Sequence, residues 1–489
     1  MSRKRRARLG PFEVEITRLA KGGVGEGIAP DGKPVRVRPG APGSRLAVIP
    51  SGQKKGVWSA RRLARIRPPV DGVEPSCAAF GVCGGCTLQE LSLPAQRHHK
   101  ADLALRDVAG EMQMSVDALA ASVTIHPVRG TKAAFGTRNK VELSFGPRRF
   151  LSEADHQAEK PIQGRWLGFH APGRFDRVAD TERCWLISDA ANEVLTTLRR
   201  TVLLEDEQPL WDARAHTGVW RHALLREGRN TGELLVALYT SSLADAVAVE
   251  RVVDAVLATP LPDGVALVGV LHVHNDGVAD VCRGDVARVW GRDHIQERLS
   301  GVDFTLSTES FFQTSTEGAE VLYKTVAEAL GPPRHTLLDL YCGIGSIGLV
   351  LADRAEHIVG IDEVAPAIAD AQKNAERAGV NAEYRVAKVE HALDVFEGLG
   401  DCVAVVDPPR VGLHPKVAER LAKWSGDTLV YVACKASSLG RDAQILTQGG
   451  WELTDLWTVD LFPQTGHIEV VGRFVRRLEQ PDDATGIEG

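Results

Sequence analysis

Apolar and polar positions alternate over the first seventy residues, and the period then changes. Phe12-Glu-Val-Glu-Ile16 and Pro34-Val-Arg-Val-Arg38 put every second side chain on one face, the pattern of a half-buried strand. Gly22-Gly23 and Gly25 interrupt the first run, and Asp31-Gly32-Lys33 reads as a hairpin turn. With Ser44–Ile49 and Val57–Ile66, the pattern predicts some five short strands over 12–67. That is a small OB-like β-barrel, closed off by Pro68-Pro69.

Helical spacing follows near 88–120, mixed with alternating runs at Asn139–Phe145, Glu233–Tyr239 and Ala266–Val273. This predicts a mixed α+β central domain whose strands are mostly antiparallel. From 336 strand and helix alternate, through strand-like Thr336–Tyr341, helix-like Val364–Ala378, and strand-like Cys402–Val406 and Thr428–Ala433. That alternation predicts an α/β domain with a doubly wound, Rossmann-like parallel sheet. The expected division is 1–70, 71–305 and 306–478, followed by an acidic disordered tail at 479–489.

Length and composition agree with this division. A chain of 489 residues is too long for one core, and its 44% hydrophobic and 25% charged content is ordinary for globular domains. No run approaches the roughly 18 apolar residues of a membrane span. The basic start, Arg3 to Arg8, leads into Gly10-Pro11 rather than an apolar signal core, so a cytoplasmic monomer without a membrane partner is expected. The net charge of −6 conceals an asymmetry: residues 1–70 hold 17 Lys/Arg and four acids, leaving 41 basic and 60 acidic side chains elsewhere. A basic module on an acidic body points to a polyanion such as RNA.

Eight cysteines are too few for a secreted disulfide scaffold. Cys77, Cys83 and Cys86 form C-x5-C-x2-C, and Cys184, in a turn-prone segment, is the best fourth ligand. Four thiolates suit zinc or an iron–sulfur cluster. Zinc ribbons usually pair two C-x2-C knuckles, whereas one knuckle joined by two isolated cysteines favours iron–sulfur. Cys282, Cys342 and Cys402 are most economically core or turn residues.

Asp339-Leu-Tyr-Cys-Gly343-Ile-Gly345-Ser-Ile-Gly348 ends a buried strand and opens a helix. It contains G-x-G-x-x-G, which alone would also suit NAD. Asp339 before the glycines, Asp362 at the next strand end and Asp407-Pro-Pro-Arg410 at a later one favour a cationic sulfonium donor, S-adenosylmethionine. Glu363, one residue beyond Asp362, should point away. Arg410, where exocyclic-amine methyltransferases carry an aromatic, disfavours that chemistry. Tyr431-Val-Ala-Cys434-Lys435 then places a thiol at the same carboxyl edge. Strand-end cysteines are often only small buried hydrophobes. Beside a methyl-donor loop, however, a nucleophile is the stronger reading. Uracil C5 is a poor nucleophile; thiolate addition at C6 makes an enolate whose C5 attacks the methyl group, and a base must then remove the C5 proton. Glu469, at the start of the last strand, is the candidate base, with His467 as competitor and an exposed hairpin acid as the bland reading.

Together these residues resemble the RNA uracil-C5 methyltransferase family (TrmA/RumA type) over about 12–478. The similarity is strongest in Asp339–Gly345, Asp407–Leu413, Tyr431–Lys435, Arg441-Asp442 and Asp460–Glu469. The resemblance implies Cys434 as nucleophile, Glu469 as base, and Gln313, Tyr341, Asp362 and Asp407 around the donor. It implies a [4Fe-4S] cluster on Cys77, Cys83, Cys86 and Cys184. It also implies a TRAM module in the glycines at 22–27 and the Pro39–Gly43 segment, and an RNA-facing segment at Thr137–Lys140. Cluster plus TRAM module resembles the ribosomal-RNA enzymes, so 23S rRNA is the expected substrate. A tRNA T-loop enzyme is the alternative within the family. Departures at Ala433 and Lys435, where the family has Ser and Asn around the nucleophile, and at Lys388 near the adenine, motivate a third reading, a non-catalytic Fe-S RNA-binding or assembly factor. Lys435 is a candidate for lowering the thiol pKa.

Overall fold

A computed structural model describes residues 9–397 and 400–477. The basic start and the acidic tail expected at 479–489 lie outside the described residues. The described residues form two compact units, one of 9–103, 128–322 and 459–468, the other of 104–127, 323–397, 400–458 and 469–477. No described helix is long and apolar enough to cross a membrane.

In the first unit, strands Phe12–Ala20, Val24–Ile28, Pro34–Arg38, Arg45–Lys54 and Val57–Arg67 close into a barrel. The alternation read from the sequence fills it: Val14, Ile16, Val35, Val37, Leu46 and Val48 all point inward. The outward side chains do not leave the expected free positive surface. Arg18 and Arg36 both bind Glu26, Arg45 binds Glu13, Arg67 binds Glu15, Arg62 and Arg65 bind Glu90, and Arg61 binds Glu153. Exposed Lys21, Lys54 and Lys55 have no ion pair among the described residues.

The same unit holds a seven-stranded sheet in the order Arg174–Asp180, Gln163–Ala171, Lys140–Arg148, Trp220–Gly228, Glu233–Thr240, Ala266–His274, Asp285–Gly291. It is antiparallel except where Glu233–Thr240 runs parallel to Ala266–His274. Helices Asp189–Leu198 and Ala246–Leu257 supply Val194, Leu195, Val249 and Val253 to a core shared with Leu143, Trp220 and Leu238. Each starts where a short polar side chain, Ser188 or Asp245, accepts a backbone N–H of the first turn.

The second unit is built on a sheet ordered Ala382–Val386, Ala355–Asp362, Arg334–Leu340, Cys402–Val406, Thr428–Ala433, Glu469–Arg476, Trp451–Asp460, Thr124–Ile125. The first five strands are parallel, and Glu469–Arg476 runs antiparallel to Thr428–Ala433. Cys402–Val406 and Thr428–Ala433 are buried at every position, as central strands covered on both faces must be.

Candidate active site

Parallel strands deliver their carboxyl ends to one edge, and that edge carries the chemistry. Asp339 is the penultimate residue of its strand and wholly buried; its Oδ2 accepts from the Gly348 amide at 2.9 Å. Its Oδ1 has no partner among the described residues. Burial, with Asp362 nearby, pushes the carboxyl up to about 7. Asp362 closes the next strand and bonds the glycine loop, accepting from Gly343 at 3.0 Å and from Val364 at 2.9 Å. Gly345 has a φ of +76°, and a Cβ there would stand 2.5 Å from the Tyr384 hydroxyl, so only glycine fits this turn. Tyr341 opens the loop with a positive φ of 65°. The orphaned Asp339 oxygen, the loop and the remaining lone pairs of Asp362 fit a polar ligand with hydroxyl and cationic groups. Glu363 is exposed, as expected, and lies 3.8 Å from the Lys388 ammonium.

Asp407 follows the strand Cys402–Val406, its amide donating to the Leu340 carbonyl at 3.3 Å. Loss of hydration, with Asp339 nearby, pushes it up to about 7. Cys434 follows the adjacent strand Thr428–Ala433 and is half-buried rather than sealed in. Antiparallel pairing aligns Val432 with Val471 and Ala433 with Val470, so the next pair across the sheet is Cys434 and Glu469. Directly opposed side chains share one face. Thirty-five residues of sequence are thereby reduced to one cross-strand step.

Glu469 is 5% exposed, which removes the reading as an exposed hairpin acid, whereas the rival base His467 is exposed. Burial, then Asp407, raises Glu469 to about 8, with Arg410 opposing. Burial, then Glu469 and Asp407, pushes the Cys434 thiol up to about 11, and again Arg410 opposes. Arg410 is thus a cation acting on the thiol, and Lys435 stands at the N-cap position of helix Ala436–Gln448 without a side-chain cap bond. No signal around Arg410 other than its place after Asp407-Pro-Pro pointed to this role.

The remaining predicted residues lie in the first unit. The Gln313 carbonyl accepts from the Asn139 side chain at 3.0 Å, and Asn139 also reaches the Thr316 hydroxyl at 2.9 Å. Thr137 and Asn139 are buried, so half of the segment expected to face RNA instead braces the chain before helix Thr316–Leu330. Cys77, Cys83, Cys86 and Cys184 line one cavity of about 560 Å³ together with Arg138. Burial pushes Cys83 up to about 11 and Cys86 up to about 12, and each feels the other thiols. Among the described residues no three His, Cys, Asp or Glu gather closely enough to hold a single metal ion. Cys342 and Cys402 are buried and Cys282 partly so, consistent with core or turn roles.

Sequence reading also missed a buried ion pair. Lys100, on helix Leu93–Glu111, donates to Asp460 at 2.6 Å and to the carbonyls of Phe462 at 3.0 Å and His467 at 3.2 Å. Gln96, one turn earlier, exchanges hydrogen bonds with Gln464. Together they fasten the Leu461–Ile468 loop.

Known proteins resemble this chain over almost its whole length. The tRNA (Uracil-5-)-methyltransferase family matches residues 287–477. An uncharacterized RNA methyltransferase of Caldanaerobacter subterraneus is 33% identical, the match covering 94% of this chain and 97% of the relative. A tRNA (uracil(54)-C(5))-methyltransferase of Pyrococcus furiosus is 30% identical over 90% of this chain and 94% of its own length. The solved tRNA (uracil-54, C5)-methyltransferase of Pyrococcus abyssi, in complex with S-adenosyl-L-homocysteine, superposes with a TM-score of 0.72 at 26% identity, covering 95% of this chain and 100% of that one. With the cysteine, the carboxylates and the glycine loop at one sheet edge, these likenesses establish that the chain belongs to the S-adenosylmethionine-dependent RNA uracil-C5 methyltransferase family.

Proposed function

We propose that this chain methylates C5 of a uridine in structured RNA, with Cys434 as nucleophile and Glu469 as base. The observation that carries the reading is the strand register that opposes Cys434 to Glu469. Cys434 adds to C6 of the uracil, and the electron pair displaced onto the ring makes C5 nucleophilic. Tyr341, Asp362 and Asp407 would hold S-adenosylmethionine, which would supply an electrophilic methyl group. Glu469 then takes the C5 proton, and the C6–S bond breaks to return Cys434 as the thiolate that began the cycle. A carboxylate raised to about 8 is well matched to taking a proton near neutrality.

Two finer readings belong here. The barrel together with four cysteines on one cavity supports a [4Fe-4S] cluster held by Cys77, Cys83, Cys86 and Cys184, and with it 23S rRNA as substrate. The named relatives act on uracil 54 of tRNA, which supports tRNA as a second reading. The division into 1–70, 71–305 and 306–478 and the cytoplasmic location go with either. Mapping 5-methyluridine by mass spectrometry in ribosomal and transfer RNA, with and without this gene, separates them. Restoration by the wild-type gene but not by Cys434→Ala supports the mechanism; restoration by Cys434→Ala overturns it.

A further inference from the structure

Between Asp407 and helix Pro415–Lys423 the chain has no regular structure, yet it carries Arg410. Three ties hold this segment. The Gly412 amide donates to the Pro409 carbonyl at 2.7 Å, closing a turn. The Ser438 hydroxyl donates to the Arg410 carbonyl at 2.8 Å. The Leu413 amide donates to Asp442 Oδ2 at 2.8 Å. Gly412 has a φ of +85°, and a Cβ there would lie 2.6 Å from that same oxygen, so the segment is pressed against Asp442.

Asp442 is 1% exposed, and its second tie leads to the nucleophile's own strand. Oδ2 also accepts from the Tyr431 hydroxyl at 2.7 Å, and Tyr431 lies three residues before Cys434. Oδ1 accepts from Arg441 at 2.6 and 2.8 Å. One buried carboxylate oxygen therefore joins the strand that ends in Cys434 to the segment that carries Arg410. Arg410 is the cation opposing the upward push of Glu469 and Asp407 on the thiol.

We propose that Asp442 is a positioning residue for the methyl transfer: by bonding Tyr431 and Leu413 through one oxygen, it holds the segment that carries Arg410 to the strand that leads into Cys434. The proposal rests on the reading of Cys434 as nucleophile. A buried network of this kind holds its geometry because breaking one bond leaves a buried partner unsatisfied. Asn at 442 can keep its oxygen on Tyr431 and Leu413 and turn its NH2 toward the half-exposed Arg441, whereas Ala removes the oxygen and leaves both buried donors without a partner.

The test measures two quantities on the full-length protein. The first is the rate at which 5-fluorouridine-containing RNA becomes attached to Cys434 in the presence of S-adenosylmethionine. The second is the pH profile of iodoacetamide alkylation at Cys434, followed on its tryptic peptide without RNA; the groups acting on this thiol are Glu469, Asp407 and Arg410. Asp442→Ala should slow attachment about tenfold or more and move the alkylation profile to higher pH. Tyr431→Phe, which leaves the Leu413 bond, should move both in the same direction but less. Wild-type values for both quantities in Asp442→Ala would overturn the proposal while leaving the nucleophile reading intact. No attachment in the wild type would defeat the nucleophile reading, and the alkylation profile would still test whether Asp442 holds the segment that carries Arg410. Should Asp442→Ala fail to fold, Tyr431→Phe and Ser438→Ala decide, and an unshifted profile in both overturns the proposal.

Discussion

Thiols are partly buried in both units, and that burial pushes them up in both: Cys83 to about 11 and Cys86 to about 12 in the first, Cys434 to about 11 in the second. Their company separates them. In the first unit four cysteines share a cavity with one another and with Arg138, and Cys83 also feels Arg38. In the second, one cysteine stands opposite a carboxylate that is itself raised to about 8, with Asp407 and Arg410 beside it. The first arrangement sets thiol against thiol, and the second sets one thiol against a buried carboxylate. The size of a thiol's shift does not tell the two apart.

The largest expected effect breaks the comparison on the catalytic side. Cys434→Ala should lower methyl transfer by more than about 10³-fold, because no other group can form the C6 bond. Cys184→Ser should instead leave Cys434 able to form its RNA adduct while lowering thermal stability. Steady-state transfer of labelled methyl groups and a melting curve check the pair.

Lys100→Met tests the fastening of the loop before Glu469. It removes the nearer of two cations from buried Asp460, leaving only Arg97 at 3.8 Å, and a loss of about 3 kcal/mol is expected in urea unfolding. Glu469→Gln should act in the opposite direction, and its sign follows from linkage. The folded carboxyl is raised above its unfolded value, so its contribution to stability is present below about pH 4.5 and lost as pH rises toward about 8. The Gln variant lacks that loss. Its stability advantage should be near zero at pH 4.5, grow to about 1–3 kcal/mol by pH 8 and then level off, which unfolding curves at several pH values would show. The smallest effect concerns the barrel. With most of its arginines already paired to acids, Lys54→Ala/Lys55→Ala should reduce the salt slope of RNA binding by about 2 without changing sequence preference.

Much of this was legible in the chain. Period-two alternation marked the barrel, and strand–helix alternation marked the sheet, with Cys402–Val406 and Thr428–Ala433 matching to the residue. The glycines at 343 and 345 and the acids at 339, 362 and 407 could be placed at one sheet edge because strand ends and loop geometry are local. The influence of Arg410 was not legible: proximity in sequence favoured Lys435, whereas Arg410, on the neighbouring strand's loop, acts on the thiol through space. Lys100 sat in an ordinary helical pattern, and nothing nearby in the sequence marks a lysine whose partner is 360 residues away. The outward arginines of the barrel looked like a phosphate surface for the same reason, since their acidic partners come from other strands and from Glu90 and Glu153.

The account stands or falls on the bond between Cys434 and the pyrimidine. Incubation with 5-fluorouridine-containing RNA and S-adenosylmethionine leaves fluorine where Glu469 must find a proton, so elimination stops and the adduct accumulates. Mass spectrometry of the digested protein should then find methylated fluorouridine attached at Cys434. Methyl transfer to ordinary RNA at a normal rate, with no adduct at Cys434 on the fluorinated substrate, would contradict it.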